Sequence, residues 1–183
     1  MEWLIYLISF LVGPLVVEVV GYAWHRYVEH KCTLGKVLAI RHYKHHEVFY
    51  PREKLRSHDA YVDAKSWTWY TVGIVTSLIL LLTLPLSNAL CVLLGAWAYA
   101  WGLTLHMHSA FHVRKHCLWR FRWFRRIARL HDIHHHDNCN YGICLFFMDR
   151  IFGTYKEEFP PNRKYLDVFY GQFNEADGQG LNS

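Results

Sequence analysis

The stretch SWTWYTVGIVTSLILLLTLPLSNALCVLLGAWAYAWGLTLHMHSAFHV, residues 66–113, runs for 48 residues without a Lys, Arg, Asp or Glu. A membrane-spanning helix needs roughly 20 apolar residues, so this stretch predicts two helices and a turn. Pro85, followed by Leu86, Ser87 and Asn88, supplies the turn between apolar segments at 67–84 and 89–105. Toward the N-terminus, residues 3–24 form a third apolar segment whose only charge is Glu18. A cleavable signal peptide has a basic start and a small-residue cleavage site; this segment has neither and reads as a retained span. Gly13-Pro14 near its middle is expected to kink it, which membrane helices tolerate. The fold class is all-α, an integral membrane protein with about three transmembrane helices.

Charge orients the spans. Every Lys and Arg lies between His25 and Lys65 or after His112, so by the positive-inside rule both regions face the cytoplasm. The membrane is then the inner membrane in a bacterium or the ER membrane in a eukaryote. Ten of the 14 histidines fall in those regions or at their edges, in four clusters: His25/His30, His42/His45/His46, His108/His112 and His131/His134/His135. Two independent signals thus collect the imidazoles into one cytoplasmic layer, a histidine-rich helical cap.

Imidazole is neutral near pH 7 and a strong metal ligand. Residues three and four apart share a helix face, so each HxxHH triplet projects three rings from about one turn, and His108/His112 project two. His25 and His30 are five apart, roughly 140° around a regular helix. They are expected not to share one ion unless the helix ends between them, and to bracket a pair of ions instead. Ten nitrogens suit two five-coordinate metals. His106 points away from His108, and His58, His116 and His136 are left outside the set.

Between Arg114 and Arg129 lie seven basic residues and no acid, with Trp119, Phe121, Trp123 and Phe124 interleaved. Arg122, Arg125, Arg126 and Arg129 share one helical arc, and Trp119, Trp123, Ile127 and Leu130 another, which predicts an interfacial amphipathic helix meeting lipid phosphates. An acidic redox partner is a second reader of this surface; with spans in the same chain, nucleic acid is not. The five cysteines are odd in number and form no CxxC pair, so no disulfide framework or thiolate zinc site is indicated. Residues 141–148 are expected to form a short amphipathic helix beneath the metal layer. The chain reads as one membrane domain, 1–159, and a polar tail, 160–183, mobile from Asn174.

The motifs HRYVEH (25–30), HYKHHE (42–47), HSAFH (108–112) and HDIHHH (131–136), followed by NYG (140–142) and MDRIFGTY (148–155), resemble the fatty acid hydroxylase and sterol desaturase superfamily. The resemblance runs from about Glu18 to Tyr155. It implies a helical membrane enzyme with a cytoplasmic di-iron centre that uses O2 and two electrons to hydroxylate, or sometimes desaturate, a lipid C–H position. All ten clustered histidines match the arrangement of fatty acid 2-hydroxylases and are carried over as metal ligands. The chain lacks that branch's fused cytochrome b5 domain and has one N-terminal span in place of a hairpin. Its size, its single first span and its basic segment look like bacterial carotene hydroxylases, whose third pair is one residue wider and whose ending lacks FGTY.

A fatty acyl or sterol-type lipid is the expected substrate, a carotenoid the alternative, and a non-catalytic membrane metal protein a further one. No flavin, NAD or haem domain is visible, so electrons come from a separate reductase, ferredoxin or cytochrome such as cytochrome b5. Zinc can replace iron on nitrogen ligands during purification. Glu18, two turns before His25, and Asp132 and Asp137, flanking the last cluster, are the expected acids around the ligands. Tyr70, Trp97, Tyr99 and Trp101 are candidates to line an apolar channel, with helix packing as the alternative. A metal transporter needs polar groups along its path, which 67–105 lacks. A structural zinc site takes four ligands, not ten.

Overall fold

The computed structural model describes residues 2–63, 67–159 and 164–176, all helix and loop with no named strand among them. Helix α1 (Glu2–Ala23) continues as a π-helix through Trp24–His30, giving an apolar rod over Glu2–His30. The short α2 (Lys36–Lys44) also ends in a π-helical turn, His45–Phe49. Helix α3 (Trp67–Thr83) is followed by α4 (Leu86–Tyr99), and a third π-helical turn at Ala100–Thr104 joins α4 to α5 (Leu105–Phe111). A 3₁₀ turn at Cys117–Arg120 precedes α6 (Arg122–His136); α7 (Phe147–Ile151) and α8 (Lys164–Ala176) close the chain.

Two rods, Glu2–His30 and Leu86–Phe111, are long and apolar enough to cross a bilayer. Helix α3 is apolar over 17 residues, about 25 Å at 1.5 Å per residue, slightly short of a hydrocarbon core of about 30 Å. Their large side chains point outward: Ile8, Leu11, Leu15, Ile74, Leu82, Leu90 and Leu94 are all exposed. Water does not tolerate so large an apolar surface, and lipid does. The buried apolar core lies in the cap instead, where Met107 and Phe111 pack with Trp119, Phe124, Ala128, Cys144 and Phe169.

The turn between α3 and α4 is tighter than its sequence suggests. Leu86, Ser87 and Asn88 are the first turn of α4, and Pro85 is its N-cap, where a missing N–H costs nothing. Asn88 donates to Ser9 Oγ at 3.2 Å, tying α4 to α1. Helix α1 runs through Gly13-Pro14 as one element, and the pair serves packing. Pro14 has no N–H to give the Phe10 carbonyl one turn earlier, and Gly95 of α4 sits on that carbonyl: a Cβ there would lie 2.0 Å from Phe10 O. Gly13 lies equally close to α4, its Cβ position 2.3 Å from Ala96 N. Backbone-to-backbone approach at small residues is how helices associate where no hydrophobic force drives them together.

Three expectations are corrected, and the exposed arginine face of α6 is not among them: Arg122, Arg126 and Arg129 stay at the surface, Arg126 in an exposed pair with Glu157 (3.2 Å) and Arg129 over Phe159, while Arg125 donates to Trp119 O (2.8 Å). The apolar arc is the first to change. Trp119 is buried in the cap while Trp123 is exposed, because a helical wheel finds a face without saying what covers it. Residues 141–146 form a loop, with the helix beginning at Phe147. The segment expected to be a polar tail carries α8, with Leu166 and Phe169 buried; residues 177–183 of the expected mobile end lie outside the described residues.

Replacing Gly95 with Ala is expected to cost about 1–3 kcal/mol through overpacking against Phe10. Gly73→Ala, where nothing lies within 4 Å of the added Cβ, should cost nothing measurable. Thermal unfolding of the two variants in one detergent checks this; equal midpoints would contradict the close crossing.

Candidate metal centre

The π-helical turns set the histidine geometry. Bonds from residue i+5 back to i, such as Lys31 N–H to Arg26 O (3.1 Å) and Tyr50 N–H to His45 O (2.9 Å), stack residues five apart. His25 and His30 therefore share a face, ring centroids 5.1 Å apart, and enter the same cluster. The expectation that they bracket two ions fails because the helix rewinds there, and regular α geometry does not apply.

Two groups able to hold a metal ion result. One is His25, His30, His42, His46 and His134; the other is His45, His108, His112 and His131. Each triplet is split: His42 and His46 join the first group and His45 the second, while His134 joins the first and His131 the second. His135 belongs to neither group and lies at their boundary, its Nε2 3.2 Å from His131 Nε2 and its ring stacked on His46 at 4.0 Å. The sequence-expected ten are thus together, divided five and four with one between. His58, His106, His116 and His136 join neither group; His106 and His116 pack on each other, and His116 Nδ1 caps the 3₁₀ turn by accepting from Leu118 N–H.

Hydrogen bonds assign the tautomers. Nδ1–H is donated to Tyr141 O by His25 (2.6 Å), to Leu55 O by His112 (3.2 Å), to Cys139 O by His134 (2.7 Å) and to Tyr50 O by His135 (3.1 Å). His45 Nδ1 faces Asp63 Oδ2 at 3.0 Å, and His42 Nδ1 faces Glu29 at 3.5 Å. A ring protonated at Nδ1 carries a lone pair at Nε2. These Nε2 atoms converge: His42 to His30 at 2.7 Å, His25 to His42 and His30 to His134 at 3.1 Å, and His112 to His131 at 3.0 Å. His45 and His46 Nε2 are buried without a hydrogen-bond partner. Lone pairs that face one another repel unless a cation or shared protons lie between. Protons are disfavoured, since burial, followed by the neighbouring imidazoles, holds His42, His46, His131 and His135 well below the usual histidine range. A neutral all-nitrogen donor set fits iron, zinc or another borderline metal.

The loops exist to hold these rings. Asp149, fully buried, accepts from the Tyr141 and Gly142 amides (2.8 Å each) and from Thr154 Oγ1 (2.7 Å), fixing the carbonyl that holds His25. Asn140, at φ 51°, bonds Leu130 O and both the N–H and the O of Lys156. Tyr50, fully buried, stacks on His112 at 4.0 Å. The NYG and MDRIFGTY motifs are therefore supports for the ligand layer.

The expected acids have partners other than the ligand rings. Glu18 accepts from Tyr99 Oη at 2.5 Å, Asp132 is paired with Arg56, and Asp137 makes an exposed pair with Lys156. None is hydrogen-bonded to one of the ten imidazoles among the described residues. Asp63 takes that place beside His45 and is itself held by Arg41 at 2.8 Å, and Glu29 lies 3.5 Å from His42 Nδ1. Glu29 was findable, four residues after His25 and on its face; Asp63 sits in an irregular loop with no periodic signal.

A cavity of about 530 Å³ lies among α1, α3 and α4, from Leu78 and Leu80 in the spans to His42, His45 and His108 in the cap. Tyr70, Trp97 and Trp101 line it as expected. Tyr99 does not, its hydroxyl being bound to Glu18.

A sequence profile of the fatty acid hydroxylase family matches residues 10–154. No curated protein and no solved structure matches the chain. The chain belongs to the fatty acid hydroxylase family, whose members are membrane oxidoreductases.

The buried imidazoles set an acid limit on folding. Unfolded histidines take up protons near pH 6.5; the folded rings, with depressed pKa values, do not, so the unfolded state binds more protons as pH falls and stability drops. The metal-free chain is expected to lose thermal stability steadily from pH 7 to pH 5. A flat profile over that window would contradict the buried neutral cluster.

Proposed function

We propose that this member of the fatty acid hydroxylase family holds two iron ions on its ten clustered histidines. With them it oxidises a C–H bond of a fatty acyl or sterol-type lipid. For hydroxylation the balance is R–H + O2 + 2 electrons + 2 protons giving R–OH + water, with the electrons supplied by a separate ferredoxin, cytochrome or reductase. When bound, the metals supply reduction of O2 next to the substrate. His25, His30, His42, His46 and His134 would hold one ion, and His45, His108, His112 and His131 the other, with His135 available to the second.

The observation that carries this reading is the continuity of the apolar cavity with the histidines. Its α4–α5 wall runs from Leu93 to His108, roughly 22 Å along a helix. A long hydrocarbon lying in it would enter from the bilayer and present a carbon near its interfacial end to the second group. The aromatic wall of Trp69, Tyr70, Trp97 and Trp101 would hold the chain straight and exclude water from the reacting carbon. Nδ1 bonds to fixed carbonyls keep the imidazoles oriented without adding charge, while Asp63 beside His45 contributes negative charge that neutral ligands lack. We place three spans in the bilayer, with the cap in the cytoplasm where Lys and Arg accumulate.

Expressed in iron-supplemented membranes with an electron donor, the protein should add one oxygen to a lipid resolved by mass spectrometry, and the His45→Ala/His134→Ala double variant should not. No product across acyl lipids, sterols and carotenoids, in a preparation holding two irons, would overturn the enzyme reading.

Gly73 lines the same cavity with open space at its Cβ. Gly73→Leu should cut turnover at least tenfold and leave bound metal unchanged; full activity in that variant would remove the cavity as the substrate site.

A further inference from the structure

Helix α8 lies beyond the residues matched by the family, yet it reaches a buried ion pair beside the second histidine group. Arg56 Nη2 is 2.7 and 2.8 Å from the two carboxylate oxygens of Asp132, and both side chains are almost wholly excluded from solvent. Tyr170 of α8 donates to Asp132 Oδ2 at 2.6 Å. The Arg56 guanidinium is held between Trp119 and Phe169, 4.5 and 4.2 Å from their ring centres. A buried pair of this kind is a poor source of net stability, and removing one partner leaves a charge stranded, so its value lies in what it orients.

Each partner adjoins a segment that carries or holds a ligand. Asp132 follows His131 directly on α6. Arg56 follows Leu55, whose carbonyl takes the Nδ1–H of His112 and whose side chain is fully buried against Tyr50 and Leu166 of α8. His112 and His131 are half of the four-histidine group. The five-histidine group has other supports: Tyr141 O for His25, Cys139 O for His134 and Glu29 for His42.

We infer that Tyr170 is a positioning residue for one of two metal ions, acting through Asp132 and Arg56 on His131 and His112, so that α8 is a built part of the four-histidine site. This rests on the two-metal reading proposed above.

The test is a Co(II) titration of the metal-free full chain in detergent, followed by visible absorption, on the wild type, Tyr170→Phe, Asp132→Asn and His112→Ala. The last variant marks which spectral phase is the four-histidine site. Tyr170→Phe keeps the ring and its packing; Asp132→Asn keeps the shape and removes the charge, so either can report if the other does not fold. Each is expected to weaken the His112-dependent phase tenfold or more, the usual scale for partners of ligands, and to leave the other phase unchanged. Unchanged affinity in both phases, or equal weakening of both, would overturn the inference. A wild type that binds fewer than two ions would overturn the two-metal reading as well.

Discussion

The structure depends on one electrostatic constraint: neutral imidazoles whose lone pairs face each other at hydrogen-bond distance and below the reach of bulk water. Such a cluster is costly alone and stabilising around cations. Its cost explains the surrounding chain. Carbonyls of Tyr50, Leu55, Cys139 and Tyr141 take the outer protons, and each of those carbonyls is fixed in turn by a buried side chain or a packed loop. Asp149 and Asn140 have no other evident task than to hold the strand of chain from 139 to 142 where His25 and His134 need it.

The second dependence is on helix winding. An α-helix places residues five apart on different sides, whereas the π-helical turn at Trp24–His30 places them together. A similar turn at His45–Phe49 ends the second motif, and another at Ala100–Thr104 precedes the helix that carries the third, so two of the four histidine motifs lie in this rarer geometry and a third follows it. Single π-helical turns are otherwise uncommon and concentrate at functional sites. The close crossing of α1 and α4 at Gly13 and Gly95 then fixes the two rods that carry the first and third motifs. Backbone contact deep in the spans thereby sets ligand positions in the cap.

Much of this was legible in the residues. The charge-free stretch from 66 to 113 revealed the membrane helices, and the histidine spacing revealed the ten imidazoles and their shared layer. The division between the two groups was not legible: adjacent His45 and His46 point to different groups, which depends on winding that periodicity does not report. The acids that touch ligand rings were missed for a related reason. Glu18 stood out as a lone charge in a span, but its partner is Tyr99; Asp63 reaches His45 through a loop whose path only packing determines. Helix α8 looked like a tail because its apolar residues, Leu166, Phe169 and Phe173, are spread among polar ones, and their partner surface comes from Trp119 and Leu55, far away in sequence.

The central claim is that two metal ions sit in all-imidazole surroundings. The most direct measurement is X-ray absorption at the zinc edge on protein loaded with zinc, a redox-silent stand-in, together with a metal count per chain. The account predicts two ions per chain, a first shell of nitrogen near 2.0–2.1 Å and the outer-shell scattering of imidazole rings. One ion per chain, or sulfur in the first shell from Cys139 or Cys144, would contradict it.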